Sequence, residues 1–203
     1  MSLLERRRAL MGLNKRLLPL DYQQVKYIES TSGQYIDTGI KGSSKVKLKF
    51  DGAFGRTGAT YFTGSRTSSA ADFFCFFDNP SNLEFKYYSF SKYQVPNTSK
   101  EKISVEISKD GYYLDDVLQY SLPQTEWSNN YNITIFAVNT AGKFQYGKGH
   151  KLYSYKMYED NILVRDFIPC YRKTDNVVGL YDMKNAKFYE KQGTGNFLIG
   201  GEL

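Results

Sequence analysis

The sequence has few residues of the types that catalyse reactions, bind metal ions or form disulfides, and it contains a single histidine. His150 follows Gly147-Lys148-Gly149, a run that predicts a surface loop leading into a strand. One histidine cannot form a site built from several imidazoles, so a metal centre of that kind is not expected. Cys75 and Cys170 are the two cysteines; they are too few for a disulfide framework and would bond only if the fold brought them together.

The carboxylates show no arrangement typical of a hydrolase. Retaining polysaccharide hydrolysis needs two carboxyl groups about 5–5.5 Å apart, and alternate positions on one strand can supply them. Asp115 and Asp116 are adjacent, so on a strand they would point to opposite faces. The segment Asp78-Asn79-Pro80-Ser81-Asn82 offers oxygen ligands for calcium, but a turn of this composition needs no metal. We therefore expect no enzyme activity, glycosidase and esterase activity included, and no cofactor.

Aromatic side chains outside the expected core are the candidates for binding a glycan. Sugar rings pack on aromatic faces, with amides and carboxylates bonding their hydroxyl groups in a concave site. The candidate contacts are Tyr88, Tyr93, Trp127 and Tyr131. Trp127, the only tryptophan, lies in the polar segment 125–130, which predicts a loop. A loop tryptophan that caps the end of a sandwich is the alternative interpretation.

The first eighteen residues, MSLLERRRALMGLNKRLL, form a distinct basic and apolar segment. Leucine and methionine recur at a spacing of seven, so a helix would carry one apolar stripe with a basic flank. We interpret the segment as a docking peptide for a partner protein, through Leu3, Leu4, Arg6, Arg7, Arg8, Leu10, Met11, Leu17 and Leu18. A frayed terminus and a peptide for an anionic membrane surface are the alternatives. No apolar run follows the arginines, so neither a secretory signal nor a membrane span is predicted.

The charge distribution separates this segment from the rest of the chain. The formal net charge is +6. Five basic residues against Glu5 place +4 before residue 19 and leave +2 for everything after it. A nucleic-acid-binding fold would show a basic stripe across the domain, so nucleic acid is not an expected partner. The length of 203 residues and the aromatic content of 16% suit one sizeable core.

The remainder of the chain is patterned as short strands and turns. In the stretch 150–189, Tyr153, Tyr155 and Met157 alternate with Ser154, Lys156 and Tyr158, which is the period of a strand with one face in a core. The stretch continues through turns at 159–161 and 174–176 as a run of antiparallel strands. In the segment 45–50, three lysines alternate with three apolar residues, and we expect these lysines to protect a sheet edge. About a dozen strands at intervals of roughly ten residues predict a sandwich or barrel.

Two segments resemble a known family. The sequences YIESTSGQYIDTGI at 27–40 and LYSYKMYEDNILVRDFIPCYRKTDNVVGLYDMKNAKFY at 152–189 are similar to the concanavalin A-like, or laminin G-like, modules of bacteriophage and prophage virion proteins and of gut-bacterial surface proteins. The resemblance spans residues 22–199 with no matched motif in the middle. It implies an all-β, two-sheet antiparallel jelly-roll sandwich. We divide the chain accordingly into a tail at 1–20 and a jelly-roll domain at 21–203.

The resemblance also implies a setting, but not a ligand. One hypothesis is a non-enzymatic structural protein on a virion surface, in capsid decoration, a head fibre or a tail module. Its basic tail would attach it to other virion proteins, it would be oligomeric in the assembly, and it would also contact host glycans. The alternative is a dedicated carbohydrate-binding adhesin on a bacterial cell surface or a receptor-binding module of a tail fibre.

Overall fold

The structure, a computed structural model, describes residues 18–55, 60–67, 74–78, 82–88, 92–96, 102–122 and 124–203. Within these ranges every regular element is a β-strand, and two sheets form a sandwich, which confirms the expected fold class. No helix in these ranges is long and apolar enough to span a membrane. The docking residues Leu3, Leu4, Arg6, Arg7, Arg8, Leu10, Met11 and Leu17 lie outside the described residues.

The first sheet, called sheet A, is built around the C-terminal meander. Its main path runs β11-β10-β9-β4-β15-β16-β17-β18, with β1 beside β16, β2 beside β15 and β20 beside β2. The strand bounds are β1 Tyr22–Gln24, β2 Ile28–Glu29, β4 Val46–Ala53, β9 Ile103–Ser108, β10 Gly111–Leu114, β11 Val117–Tyr120, β15 Lys151–Glu159, β16 Ile162–Arg172, β17 Val177–Asp182, β18 Lys187–Glu190 and β20 Leu198–Ile199.

The second sheet, called sheet B, has the path β19-β3-β12-β5-β6-β7-β8, and the hairpin β13–β14 joins it at β5. Its strands are β3 Gln34–Ser43, β5 Thr60–Arg66, β6 Phe74–Asp78, β7 Asn82–Tyr87, β8 Lys92–Pro96, β12 Ser128–Ile135, β13 Ala137–Thr140, β14 Lys143–Tyr146 and β19 Gln192–Gly193. The contact of β13 with β5 is parallel, which the expected antiparallel pattern did not include. The chain reverses at Phe136, which has a positive φ of 64°.

Aromatic side chains from both sheets fill the space between them. Phe50 of sheet A stacks on Phe62 of sheet B with ring centroids 4.8 Å apart, and on Tyr155 of its own sheet at 5.5 Å. The buried Tyr155 hydroxyl lies 2.8 Å from Thr63 Oγ1, and Thr63 in turn donates to the Thr134 carbonyl. The Tyr155 hydroxyl is therefore hydrogen-bonded inside this aromatic core, as burial of a polar group requires.

The predicted run of antiparallel strands between 150 and 189 is present as β15, β16, β17 and β18 in consecutive order. Asp160 and Asn161 form the first turn with φ values of 47° and 64°, the conformation of a two-residue hairpin loop. Within β16, Pro169 sits where the neighbouring strand changes from β15 to β1. Its missing N–H therefore interrupts no ladder.

One expectation about sheet A was wrong. Strand β4, which carries the alternating lysines, lies between β9 and β15, so its lysines coat the outer face of an inner strand and do not protect an edge. Asp115 and Asp116 do not lie on a strand. They form the two-residue turn between β10 and β11, with φ values of 48° and 63°.

Candidate functional site

A pocket opens on the outer face of sheet A where two neighbouring strands separate. Strands β15 and β16 pair from Tyr155, opposite Phe167, to the hairpin turn. Beyond that point β16 pairs with β1, while β15 pairs with β2. The segment 22–29 thus fills the gap between the separated strands, and residues 198–203 hydrogen-bond to its free side.

This pocket, called the splay pocket, has a volume of about 410 Å³. It combines one aromatic ring with hydroxyl, amide, carboxylate and ammonium groups. Its lining residues are Gln24, Lys26, Asp51, Lys102, Tyr153, Ser154, Ile168 and Leu203. Ile168, which is 3% exposed, gives it an apolar wall. This mixture suits a ligand with apolar C–H faces and polar edges.

A β-bulge brings Tyr153 to the pocket. The register of β15 against β4 shifts between Leu152, opposite Gly52, and Ser154, opposite Asp51. Leu152 and Tyr155 are both fully buried, whereas the two residues between them are half-buried and line the pocket. A bulge adds one residue to a strand and re-aims its side chain. The strict alternation read from the sequence therefore fails at Tyr153, which shares a face with Ser154 and not with Tyr155.

The ring of Tyr153 is held by its neighbours on the outer face. The ring of Tyr27 meets it at an interplanar angle of 61° with centroids 5.4 Å apart. The Lys102 ammonium lies 5.6 Å from the Tyr153 centroid and also donates to Asp51 at 3.1 Å. These contacts restrict the ring before any ligand arrives, which lowers the entropic cost of binding against it.

Asp51 and Gln24 supply hydrogen-bonding groups. Asp51 pairs with Lys102 through one oxygen, Oδ2, and a carboxylate has further lone pairs for ligand hydroxyl groups. Gln24 Oε1 is buried, and no described group donates to it.

Two other pockets in the described residues lack an available aromatic face. One of about 250 Å³ is lined by Ser44, Lys45, Val46, Lys47, Ser108, Lys109, Asp110, Asp160 and Asn161. Another of about 410 Å³ is lined by Asp175, Asn176, Val177, Val178, Lys191, Asn196 and Phe197. Its only ring, that of Phe197, is 5% exposed and belongs to the core. Tyr153 therefore distinguishes the splay pocket from both.

Of the aromatic residues predicted from the sequence to contact a glycan, Trp127 is buried, and Tyr88 and Tyr131 are half-buried. Trp127 is 7% exposed and packs against Tyr87 with ring centroids 5.4 Å apart, so its ring is not presented to solvent as the glycan prediction required. Its position agrees instead with a tryptophan that caps the core. Tyr88 packs partly buried against the same core, and Tyr131 is half-buried on β12. The backbone of Tyr93 lies on β8 opposite Phe85, and its side chain lies outside the described structure.

His150 occupies the core and not a surface loop. It is fully buried between the rings of Phe54 and Phe62, at centroid distances of 5.9 and 5.6 Å. The Gly55 N–H donates to Nδ1 at 3.2 Å, and Nε2 lies 2.8 Å from Thr60 Oγ1. Desolvation lowers the pKa of the imidazole to about 4, so His150 is neutral at physiological pH and serves the structure of this region.

Cys170 is a buried free thiol on β16, so the disulfide with Cys75 that the sequence left open does not form. Burial raises the pKa of this thiol to about 12, which suppresses the reactive thiolate. Within the described part of the chain, no group of three or more His, Cys, Asp and Glu side chains is placed to hold a metal ion.

Comparison with known proteins agrees on the fold. No protein-family model and no curated protein sequence matches the chain. A crystal structure of a "putative carbohydrate binding protein" from Bacteroides ovatus is similar to it, with a TM-score of 0.55 at 12% sequence identity. The similarity covers 88% of this chain and 60% of that one. The chain thus spans less than two thirds of the length of that protein, and the likeness is one of fold.

Proposed function

We propose that this protein is a non-enzymatic carbohydrate-binding module and that the splay pocket holds the sugar. The observation that carries the proposal is the β-bulge that turns Tyr153 and Ser154 together into a pocket beside Asp51. The sandwich shared with the Bacteroides ovatus protein supports the proposal at the level of fold.

Each lining residue makes a different type of contact with the sugar ring. Tyr153 offers its face to the C–H groups of the ring. Asp51 accepts hydrogen bonds from sugar hydroxyl groups, while its pairing with Lys102 holds it in position. Gln24, from the segment that fills the strand gap, and Ser154 of β15 complete the hydrogen bonding. These groups bind and orient, and none of them is arranged as an acid and nucleophile pair.

A glycan array on the full chain tests the proposal, followed by affinity measurement on a hit. Tyr153→Ala is expected to weaken binding by about 1–3 kcal/mol, the scale of losing an aromatic anchor. Tyr158→Ala is the matched control, because Tyr158 is a half-buried tyrosine of the same strand that does not line the pocket. Equal losses in both variants, or an unchanged affinity in Tyr153→Ala, would contradict the assignment. The bound glycan should be recovered intact after prolonged incubation, since no hydrolysis is proposed.

We further propose that residues 1–18 attach the module to a larger particle, with a virion surface as the setting and a bacterial cell surface as the alternative. The repeat of Leu3, Leu10 and Leu17 beside Arg6-Arg7-Arg8 favours this role, because an apolar stripe with a basic flank suits an acidic protein surface. Burying four or five such side chains at about 1.5–3 kcal/mol each would offset much of the ordering cost.

Deletion of residues 2–17 tests the attachment. Leu18 is retained because it is half-buried in the domain. The truncated protein should keep its melting temperature and its glycan affinity, yet be absent from purified particles. Incorporation at normal copy number would show instead that attachment runs through the sandwich.

A further inference from the structure

One lysine that lines the splay pocket has no ion-pair partner among the described residues. Lys102 is paired with Asp51 at 3.1 Å, so these two side chains are close to neutral together. Lys26 lines the same pocket and is exposed. Among the described residues no carboxylate, that of Leu203 included, lies within ion-pair distance of its ammonium group. The side chains that line the pocket sum to about +1, and the carboxylate of Leu203, a residue that also lines it, offsets this charge without pairing with Lys26.

The position of Lys26 follows from the segment that fills the strand gap. Val25 is 1% exposed and belongs to the core, so Gln24 and Lys26 on either side of it face outward, as strand alternation requires. The Lys26 N–H donates to the Gly201 carbonyl at 2.8 Å, which fixes the backbone there. The Lys26 side chain thus extends from a fixed backbone on the pocket wall where Gln24 also lies.

We infer that the splay pocket selects an acidic sugar, one that bears a carboxylate or a sulfate. This rests on the proposed carbohydrate function and specifies its ligand. The sugar ring packs on Tyr153, its hydroxyl groups bond to Asp51 and Ser154, and its anionic group lies against Lys26. A charge-assisted hydrogen bond to an anion is about twice as strong as one between neutral groups. Lys102 contributes less to this selection, because its ammonium group is already paired with Asp51.

Electrostatic repulsion by Asp51 determines how an acidic sugar is oriented in the splay pocket. A sugar anion placed against Asp51 would meet a like charge, which costs binding free energy. The anion therefore lies on the Lys26 side of Tyr153, and the hydroxyl groups lie on the Asp51 side. This orientation distinguishes acidic sugars from neutral ones through Lys26 alone, so a single substitution can test it.

The test compares ligands that differ only in charge. Trigalacturonate and its fully methyl-esterified form share the same rings, and a sulfated trisaccharide provides a third arm that separates carboxylate from sulfate recognition. Affinities are measured by calorimetry on the full chain, after a glycan array that contains neutral, carboxylated and sulfated glycans. The variants are Lys26→Gln and, as the control, Lys143→Gln, which removes the same charge from an exposed position on sheet B.

The acid form should bind at least about tenfold more tightly than the ester, and Lys26→Gln should abolish that difference. Raising the salt concentration from about 50 mM to about 500 mM should weaken binding of the acid form and leave the ester unchanged. Lys143→Gln should behave as the unsubstituted protein.

Two results would overturn the inference and leave the carbohydrate function standing: hits confined to neutral glycans, or an acid preference that Lys26→Gln retains. An array with no binder of any class would contradict the carbohydrate function itself.

Discussion

Acidification should destabilise this protein through its one histidine before most of its carboxylates titrate. His150 is buried between Phe54 and Phe62, and its Nδ1 already accepts the Gly55 N–H. Protonation would add a proton to that acceptor and place a charge among aromatic rings. The low pKa of the imidazole, about 4 against an ordinary value of 6.5, expresses this cost.

The sign and size follow from the difference in proton binding between the folded and unfolded states. Above pH 6.5 the imidazole is neutral in both states, and stability is unaffected. Below pH 6.5 the imidazole binds a proton in the unfolded chain but not in the folded protein, so the free energy of unfolding falls as the pH falls. Each pH unit costs about 1.4 kcal/mol, which gives about 2 kcal/mol between pH 6.5 and 5 and about 3 kcal/mol by pH 4.

Urea unfolding at a series of pH values between about 7.5 and 5 measures this slope, in a range where surface carboxylates contribute little. His150→Gln keeps a hydrogen-bond donor and an acceptor but has no proton to gain, so its free energy of unfolding should stay flat over the same range. Since the chain has one histidine, a single imidazole resonance also reports its titration by NMR. A resonance that titrates near pH 6.5, or a variant that keeps the slope, would refute the reasoning.

Three further predictions concern side chains in or next to the core. Trp127→Ala should destabilise the protein by about 3–5 kcal/mol, because it removes a buried ring packed on Tyr87. In the unsubstituted protein, the fluorescence emission of Trp127 should be blue-shifted and insensitive to iodide. Strong quenching by iodide would contradict the burial. Gly179→Ala should lower the free energy of unfolding by about 1–3 kcal/mol, measured by thermal unfolding. A Cβ there would clash with the Tyr189 carbonyl and lie 2.8 Å from the Phe188 ring. An unchanged melting temperature would show that Tyr189 and Phe188 move aside without penalty. In a Cys75→Ser background, Cys170 should react with a thiol reagent only on unfolding, and fast labelling of the native protein would show that β16 opens readily.

Local patterning predicted the strands whose structure depends on neighbours close in sequence. The C-terminal meander was correctly predicted because its alternation and turns lie within one continuous stretch. Asp160 and Asn161 adopt the positive φ values that their short side chains tolerate better than most. The same reasoning could not find that β4 is an inner strand, because β9 and β15, which pair with it, follow it by roughly 50 and 100 residues along the chain.

The candidate site depended even more on distant partners. Tyr153 lines the splay pocket because β15 slips by one residue against β4, and nothing in the sequence around Tyr153 marks that bulge. The glycines before His150 predict a surface loop, and the polar residues around Trp127 leave open whether it binds a ligand or caps the sandwich. Tyr87 covers the tryptophan, and Gly55 and Thr60 satisfy the imidazole. A polar ring can be buried when a partner from elsewhere in the fold hydrogen-bonds to it, because that bond offsets the desolvation penalty. A single sequence does not reveal which residue that partner is.

The joining of residues 22–34 to residues 192–203 constrains how the chain reaches its fold. Thr31 Oγ1 donates to a carbonyl 165 positions away, and Gln23 Nε2 to one 180 positions away. On a ribosome, β1 and β2 emerge long before the segments that cover them, so the wall of the splay pocket cannot close until residues 192–203 have been synthesised. Closing loops of this size before any contact is gained makes folding slow. During that interval β2 presents an uncovered edge to other chains, which makes early synthesis the stage at which this protein is most exposed to aggregation and to chaperones.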